Sequence, residues 1–222
     1  MDAALGRYRL ATSAPAPAHG FHSRWRTVRG VETHLAAWLA AAGLAPVVVL
    51  GNSFGCQVAV ELAVRQPDRV RGLVLVGPTV DPSARTALRQ ILRWLSDTAR
   101  EDPLQLPILV RDVLDAGPRR VAGTLAHALR DPVEDKLPLV KVPALVTRGS
   151  GEPIVPRAWA QAATGLLPLG ELAETPGPHN ANYGAAEHLG ELVLAFLHRR
   201  VLAQDDRPAE MATPLRGGRE RS

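Results

Sequence analysis

Four short apolar runs recur along the chain without the polar alternation of a half-exposed strand: VVVL at 47–50, GLVLVG at 72–77, ALVT at 144–147 and the weaker ELAET at 171–175. Strands that are apolar on both faces need cover on both faces, so the pattern predicts a parallel sheet clothed by helices. Between the runs the apolar positions move to helical spacing. The clearest stretches are 28–42, with Leu35, Trp38 and Leu39, then 53–66, 157–164, and 186–202, with Leu189, Val193, Phe196 and Leu197 at i, i+4, i+7 and i+8. Strand and helix alternate, which is the signature of an α/β domain.

One interval breaks that rhythm. From about 82 to 138 the chain carries Leu88, Ile91, Leu92 and Leu95 at helical spacing, then Pro103 and Pro107, then two more helical stretches that end near Leu129. A helical insertion between the second and third strands is the simplest reading, with residues 1–202 forming the rest of a single domain. From Ala203 the sequence AQDDRPAEMATPLRGGRERS has no periodicity and is rich in charge, Pro and Gly, and it reads as a disordered tail over 203–222. No internal repeat is visible.

Composition narrows the class. With 222 residues, 46% hydrophobic and 22% charged, the chain can bury one sizeable core. The formal charge of +4 comes from basic residues spread along the whole chain, so no nucleic-acid footprint is implied. The single cysteine, Cys56, excludes a disulfide framework and any CxxC metal site, and it points to a reducing compartment. The short ATSAPAPA stretch near the N-terminus has no apolar segment before it, and no run reaches the roughly 18 apolar residues of a membrane span. The expectation is a soluble, cytoplasmic protein that needs no cofactor or metal and acts on a small molecule, with no nucleic-acid or membrane partner; the oligomeric state stays open.

The first apolar run ends on Gly51-Asn52-Ser53-Phe54-Gly55 and passes directly into a helical pattern. A serine hydroxyl is a poor nucleophile until a base takes its proton, and it must project where a substrate can reach it. A sharp strand-to-helix turn meets the second need, and glycines two before and two after the serine let the backbone make that turn: this is the Gly-x-Ser-x-Gly nucleophile elbow. The helix that follows brings its positive end under the reaction centre, so the Phe54 N–H is a candidate oxyanion donor. The competing reading is that Ser53 is only a helix N-cap.

An elbow serine needs an acid and a histidine after it, each just beyond a later strand. After ALVT comes RGSGEPIVP, with Glu152 in the turn before a helix. After ELAET comes PGPHNANY, with His179 in a loop before the last helix. Asp81, just past GLVLVG, is a rival acid. Asp131, Glu134 and Asp135 read as surface charges, His188 and His198 as exposed helix positions, and Cys56 as a buried structural thiol.

With these three motifs in this order, the chain resembles the α/β-hydrolase superfamily from the strand before Ser53 to the last helix. The resemblance implies Ser53 as nucleophile, His179 as general base and then acid, and Glu152 as the group orienting the imidazole. The family more often has Asp at that acid position, in G-x-x-D-x-x-V-P. The interval 82–138 matches the family's cap, which shapes the substrate pocket, and its Leu, Ile, Val and Trp94 imply a mainly apolar one. GNSFG also resembles the elbow of members that cleave C–C bonds in ring-cleavage products.

Upstream, GRYRLATSAPAPAHGFHSRWR resembles the family's fourth strand and its following loop. On that alignment three strands, and the loop that supplies the second oxyanion donor, are absent, so the chain reads as N-terminally truncated. His19-Gly20 is a candidate substitute for that donor. Losing one donor costs about 10² to 10³ in turnover, which weakens chemistry without abolishing it. Two functions are therefore carried forward: a serine hydrolase acting on an ester or related acyl (or C–C) bond of a small, mainly apolar substrate, and a catalytically impaired or purely ligand-binding relative of the same fold.

Overall fold

The four apolar runs form four strands of one sheet in the computed structural model, which describes residues 28–44 and 46–204. They are β1 (Val47–Asn52), β2 (Val70–Val76), β3 (Ala144–Gly149) and β4 (Gly170–Thr175). The order is β1-β2-β3-β4 and every pairing is parallel, with Val49 opposite Leu73, Leu75 opposite Val146 and Thr147 opposite Ala173. Each parallel step needs a crossover, and helices supply them: α1 (Val28–Ala41) precedes β1, and α2 (Phe54–Arg65) links β1 to β2. Beyond β2 come α3 (Ala87–Thr98), α4 (Leu106–Ala116), α5 (Pro118–Arg130) and the single turn α6 (Val133–Lys136). After β3 follow α7 (Arg157–Leu166), the short α8 (Ala181–Gly184) beyond β4, and α9 (Ala186–Phe196) with a π-turn at Leu197–Val201.

The sheet is covered on both faces, as its apolar strands require. On one side Leu73, Leu75 and Val146 pack with Ala59, Val60 and Leu62 of α2 and with Trp159, Ala160 and Ala163 of α7. On the other, Val74, Val76 and Leu145 pack with Leu189, Phe196 and Val201. Alternate residues of β2 thus serve opposite layers, which is why the run never alternates with polar residues. β1 pairs with β2 along one edge, and no described residue pairs with its other edge. The expected strand RYRLA, His19-Gly20 and most of the charged tail lie outside the described residues.

The interval between β2 and β3 is helical, as the spacing predicts, with a different burial from the core. Leu88, Leu92, Leu95 and Trp94 are exposed, so in this structure they do not line an enclosed apolar pocket. Asp131 departs from its reading as a surface charge: it is buried and bonded to Lys136, which also pairs with Glu61 of α2, so the end of the insertion is riveted to the core by charge. Glu134 is half-buried and pairs with Arg85, while Asp135, His188 and His198 are exposed. Among the described residues no helix is long and apolar enough to cross a membrane, and no group of three His, Cys, Asp or Glu is placed to hold a metal ion.

Candidate active site

Ser53 stands between β1 and α2 with φ 52° and ψ −119°, and it is the only non-glycine among the described residues with a positive φ. A side chain in that region is strained, and such strain persists only where the surroundings hold it. Here the Ser53 amide donates to the Val76 carbonyl at 2.8 Å, which ties the turn to the end of β2. Ser53 occupies the cap position of α2 but makes no side-chain cap hydrogen bond, so its hydroxyl is not used as a cap. Gly51 is required sterically, because a Cβ there would sit 2.5 Å from the Gly55 carbonyl oxygen. Gly55 is not required in the same way: beyond its chain neighbours and the backbone of its own helix, no described atom lies within 4 Å of where its Cβ would be. The close approach of strand and helix is made by the first glycine of the motif.

Glu152 and His179 are brought together from two different strand ends. Glu152 is 3% exposed, and its carboxylate accepts from the Gly149 amide at 2.8 Å and the Val155 amide at 3.0 Å. Its Oε1 lies 2.8 Å from Nδ1 of His179, itself 6% exposed. Arg148 fixes this turn from below, with Nε donating to the Val155 carbonyl and Nη2 to the Glu152 carbonyl. The imidazole rests on Gly77, whose positive φ of 57° accompanies a Cβ position only 2.5 Å from the ring's Cε1. Gly77 directly follows Val76, the residue to which Ser53 is hydrogen-bonded, so the histidine ring and the elbow meet at the end of the same strand. The Nε2 atom of His179 is buried and has no hydrogen-bond partner among the described residues, Ser53 included.

The rival acid is engaged elsewhere. Asp81 accepts from the amide and hydroxyl of Ser83 and pairs with Arg93 at 2.8 Å. Burial raises its carboxyl, but Ser83 and Arg93 outweigh that and hold it below the ordinary range. Cys56 is fully buried, its thiol donating to the Gly51 and Val76 carbonyls, and burial pushes its pKa far up; it is an inert part of the elbow.

The electrostatics of His179 are set by opposing causes. Burial disfavours the imidazolium, whereas the bond to Glu152 and the negative charges of Glu152, Asp97 and Glu101 favour it, and the balance raises the pKa. Asp97, Glu101, Gly77 and Arg148 are absent from the sequence-level site. Gly77 had a signal, a glycine closing the apolar run of β2; of the two acids of the insertion, Asp97 had none beyond lying on the polar side of an amphipathic helix, and Glu101, just past that helix, had none.

A parallel sheet bearing a strained strand-to-helix serine, with a carboxylate–imidazole pair beyond the next strand ends, decides the architecture. The chain has the α/β-hydrolase fold. A family model described as alpha/beta hydrolase fold matches residues 12–109. Over 54 residues the chain is 54% identical to the lipase LipV of Mycobacterium tuberculosis, a stretch covering 24% of this chain and 21% of that protein. Among solved structures, an esterase from Exiguobacterium antarcticum superposes with a TM-score of 0.64 at 16% identity, over 78% of this chain and 74% of that one. A thermophilic esterase from Thermogutta terrifontis gives 0.63 at 22% identity, over 78% and 72%. These likenesses to solved structures are likenesses of fold, and the chain spans about a fifth of the length of the lipase it matches.

Proposed function

We propose that this protein hydrolyses an ester or related acyl bond of a small substrate, with Ser53 as nucleophile, His179 as general base and acid, and Glu152 as its orienting acid. The observation that carries the reading is the buried Glu152–His179 pair, which leaves Nε2 of the imidazole unpartnered at the strand end to which the strained Ser53 is tied. Glu152 keeps the proton on Nδ1, so Nε2 is the basic nitrogen. As Ser53 Oγ attacks the substrate carbonyl, Nε2 takes the hydroxyl proton, and the carbonyl oxygen becomes an oxyanion facing the Phe54 amide at the positive end of α2. Collapse of that intermediate expels the leaving group with the proton from Nε2, and a water activated by the same nitrogen then releases the acid and frees Ser53. The helices between β2 and β3 serve as the cap over this site.

A bond between Ser53 Oγ and Nε2 is absent in the resting geometry, and such bonds often tighten only when substrate is bound. The test is capture by a fluorophosphonate probe. Labelling at Ser53 that is lost in Ser53→Ala and strongly slowed in His179→Ala supports the reading. A protein that stays unlabelled while still binding small acyl compounds is a ligand-binding relative instead.

A further inference from the structure

The loop that carries His179 is held from two sides. Glu152 grips the ring, while the main chain is gripped by the insertion: the His179 amide donates to Asp97 Oδ1 at 3.1 Å, and the Asn180 amide donates to Glu101 Oε1 at 2.8 Å. A buried amide needs an acceptor, and within this loop neither amide has a main-chain one. Asp97 is only 3% exposed and lies near the C-terminal end of α3, where the helix dipole disfavours a negative charge, with Glu101 hydrogen-bonded to it. Two acids crowded at the negative end of a helix do not stabilise that helix. Their placement follows from what they hold.

We propose that Asp97 and Glu101 are positioning residues for His179, so that the helical insertion anchors the loop from which the imidazole works on Ser53. This rests on the triad reading above and deepens it: the insertion is part of the catalytic support as well as a cover. Fixing the two amides sets how far the ring stands above Gly77 and therefore how Nε2 faces the elbow. A displacement of about 1 Å at such a point can cost on the order of 10²-fold in rate. The charges matter too. Among the described residues those bearing on the imidazole are Glu152 from the turn after β3, Asp97 from α3 and Glu101 just beyond it, while Gly77 on the β2 side brings none. Burial, then the Glu101 charge, pushes the Asp97 carboxyl up to about 7 against the opposing pull of His179, so the two groups that meet at this loop are electrostatically linked.

The experiment is performed on the full chain, wild type and the variants Asp97→Asn, Glu101→Gln and Asp97→Ala, with two readouts: the NMR titration of the His179 imidazole, and the rate of fluorophosphonate capture at Ser53 against pH. Asn and Gln keep an oxygen for the loop amide and remove the charge, so each should move the imidazole midpoint, and with it the acid limb of capture, to lower pH. Asp97→Ala removes the acceptor as well and should slow capture about 10- to 100-fold at the alkaline plateau, where the base is already neutral. An unchanged imidazole midpoint in both conservative variants, with a wild-type plateau in Asp97→Ala, overturns the proposal. Should Asp97→Ala not fold, the two conservative titrations decide. A wild type that is never captured at Ser53 sinks the hydrolase reading by itself, and the imidazole titration then still judges the anchor separately.

Discussion

α2 and α3 are both twelve residues long and both carry a helical apolar stripe, yet they are mounted in opposite senses. α2 turns Cys56, Ala59, Val60, Leu62 and Ala63 inward against the sheet. α3 buries Gln90 and Asp97 and leaves Leu88 at 67% and Leu92 at 56% exposure. Its inner face is a row of polar links one helical turn apart: Gln90 to the Ala84 carbonyl, Arg93 to Asp81, and Asp97 to the His179 amide. The first helix holds the fold together by burial, which is non-directional; the second aims a few directional bonds at the site. An amphipathic stripe therefore reports that a helix has two faces, and burial partners alone decide which face is in.

That contrast can be broken at several points. The largest effect is expected at the head of α2: Ser53→Ala should lower ester hydrolysis by about 10⁴-fold or more while leaving the far-UV CD unchanged, since the hydroxyl contributes chemistry and no cap bond. Residual turnover near wild type would remove Ser53 from the mechanism. Glu152→Gln should be milder than His179→Ala in the same assay, because an orienting acid acts through the base. Within α2, Leu62→Ala empties a fully buried site and should cost about 2 to 5 kcal/mol in chemical denaturation.

At α3 the signature should appear in pH dependence. The folded Asp97 carboxyl keeps its proton up to about 7, whereas the unfolded chain releases it near 3.9. Between those values the folded state binds more protons, so this group's contribution to stability falls as pH rises. Asp97→Asn should therefore lose a component of the decline in Tm from pH 4 to 7; an identical slope in the variant would contradict the shift. The smallest effect belongs to the outer face, where Leu88→Gln or Leu92→Gln should move stability by no more than about 0.5 kcal/mol. A loss of several kcal/mol there would mean that α3 is covered in solution.

Much of this architecture was legible because it depends on local pattern. Unbroken apolar runs mean strands buried on both faces, and helical spacing between them means parallel crossovers; those two facts carry the four strands and α1, α2, α7 and α9 to within a few residues. The Gly-x-Ser-x-Gly spacing marks a strained turn because only a residue without a Cβ at position 51 lets strand and helix approach so closely. That Glu152 and His179 come within hydrogen-bond distance of each other follows a similar logic, since each lies just past the end of a later strand.

What the sequence by itself determined, then, is everything fixed by neighbours along the chain: element type, order, and which chemistry-bearing residues sit at strand ends. Only the tertiary structure decided which carboxylate takes Nδ1 of His179, since Glu152 and Asp81 are equivalent by position, and it is Ser83 and Arg93 that engage the second. It also decided that Gly77 makes room for the imidazole, that Gly55 faces open space, and that α3 turns its polar face inward to hold the histidine loop 82 residues away. Contacts of that range arise from the packing of whole elements, and a hydrogen bond between a side chain and a distant amide leaves no periodicity behind.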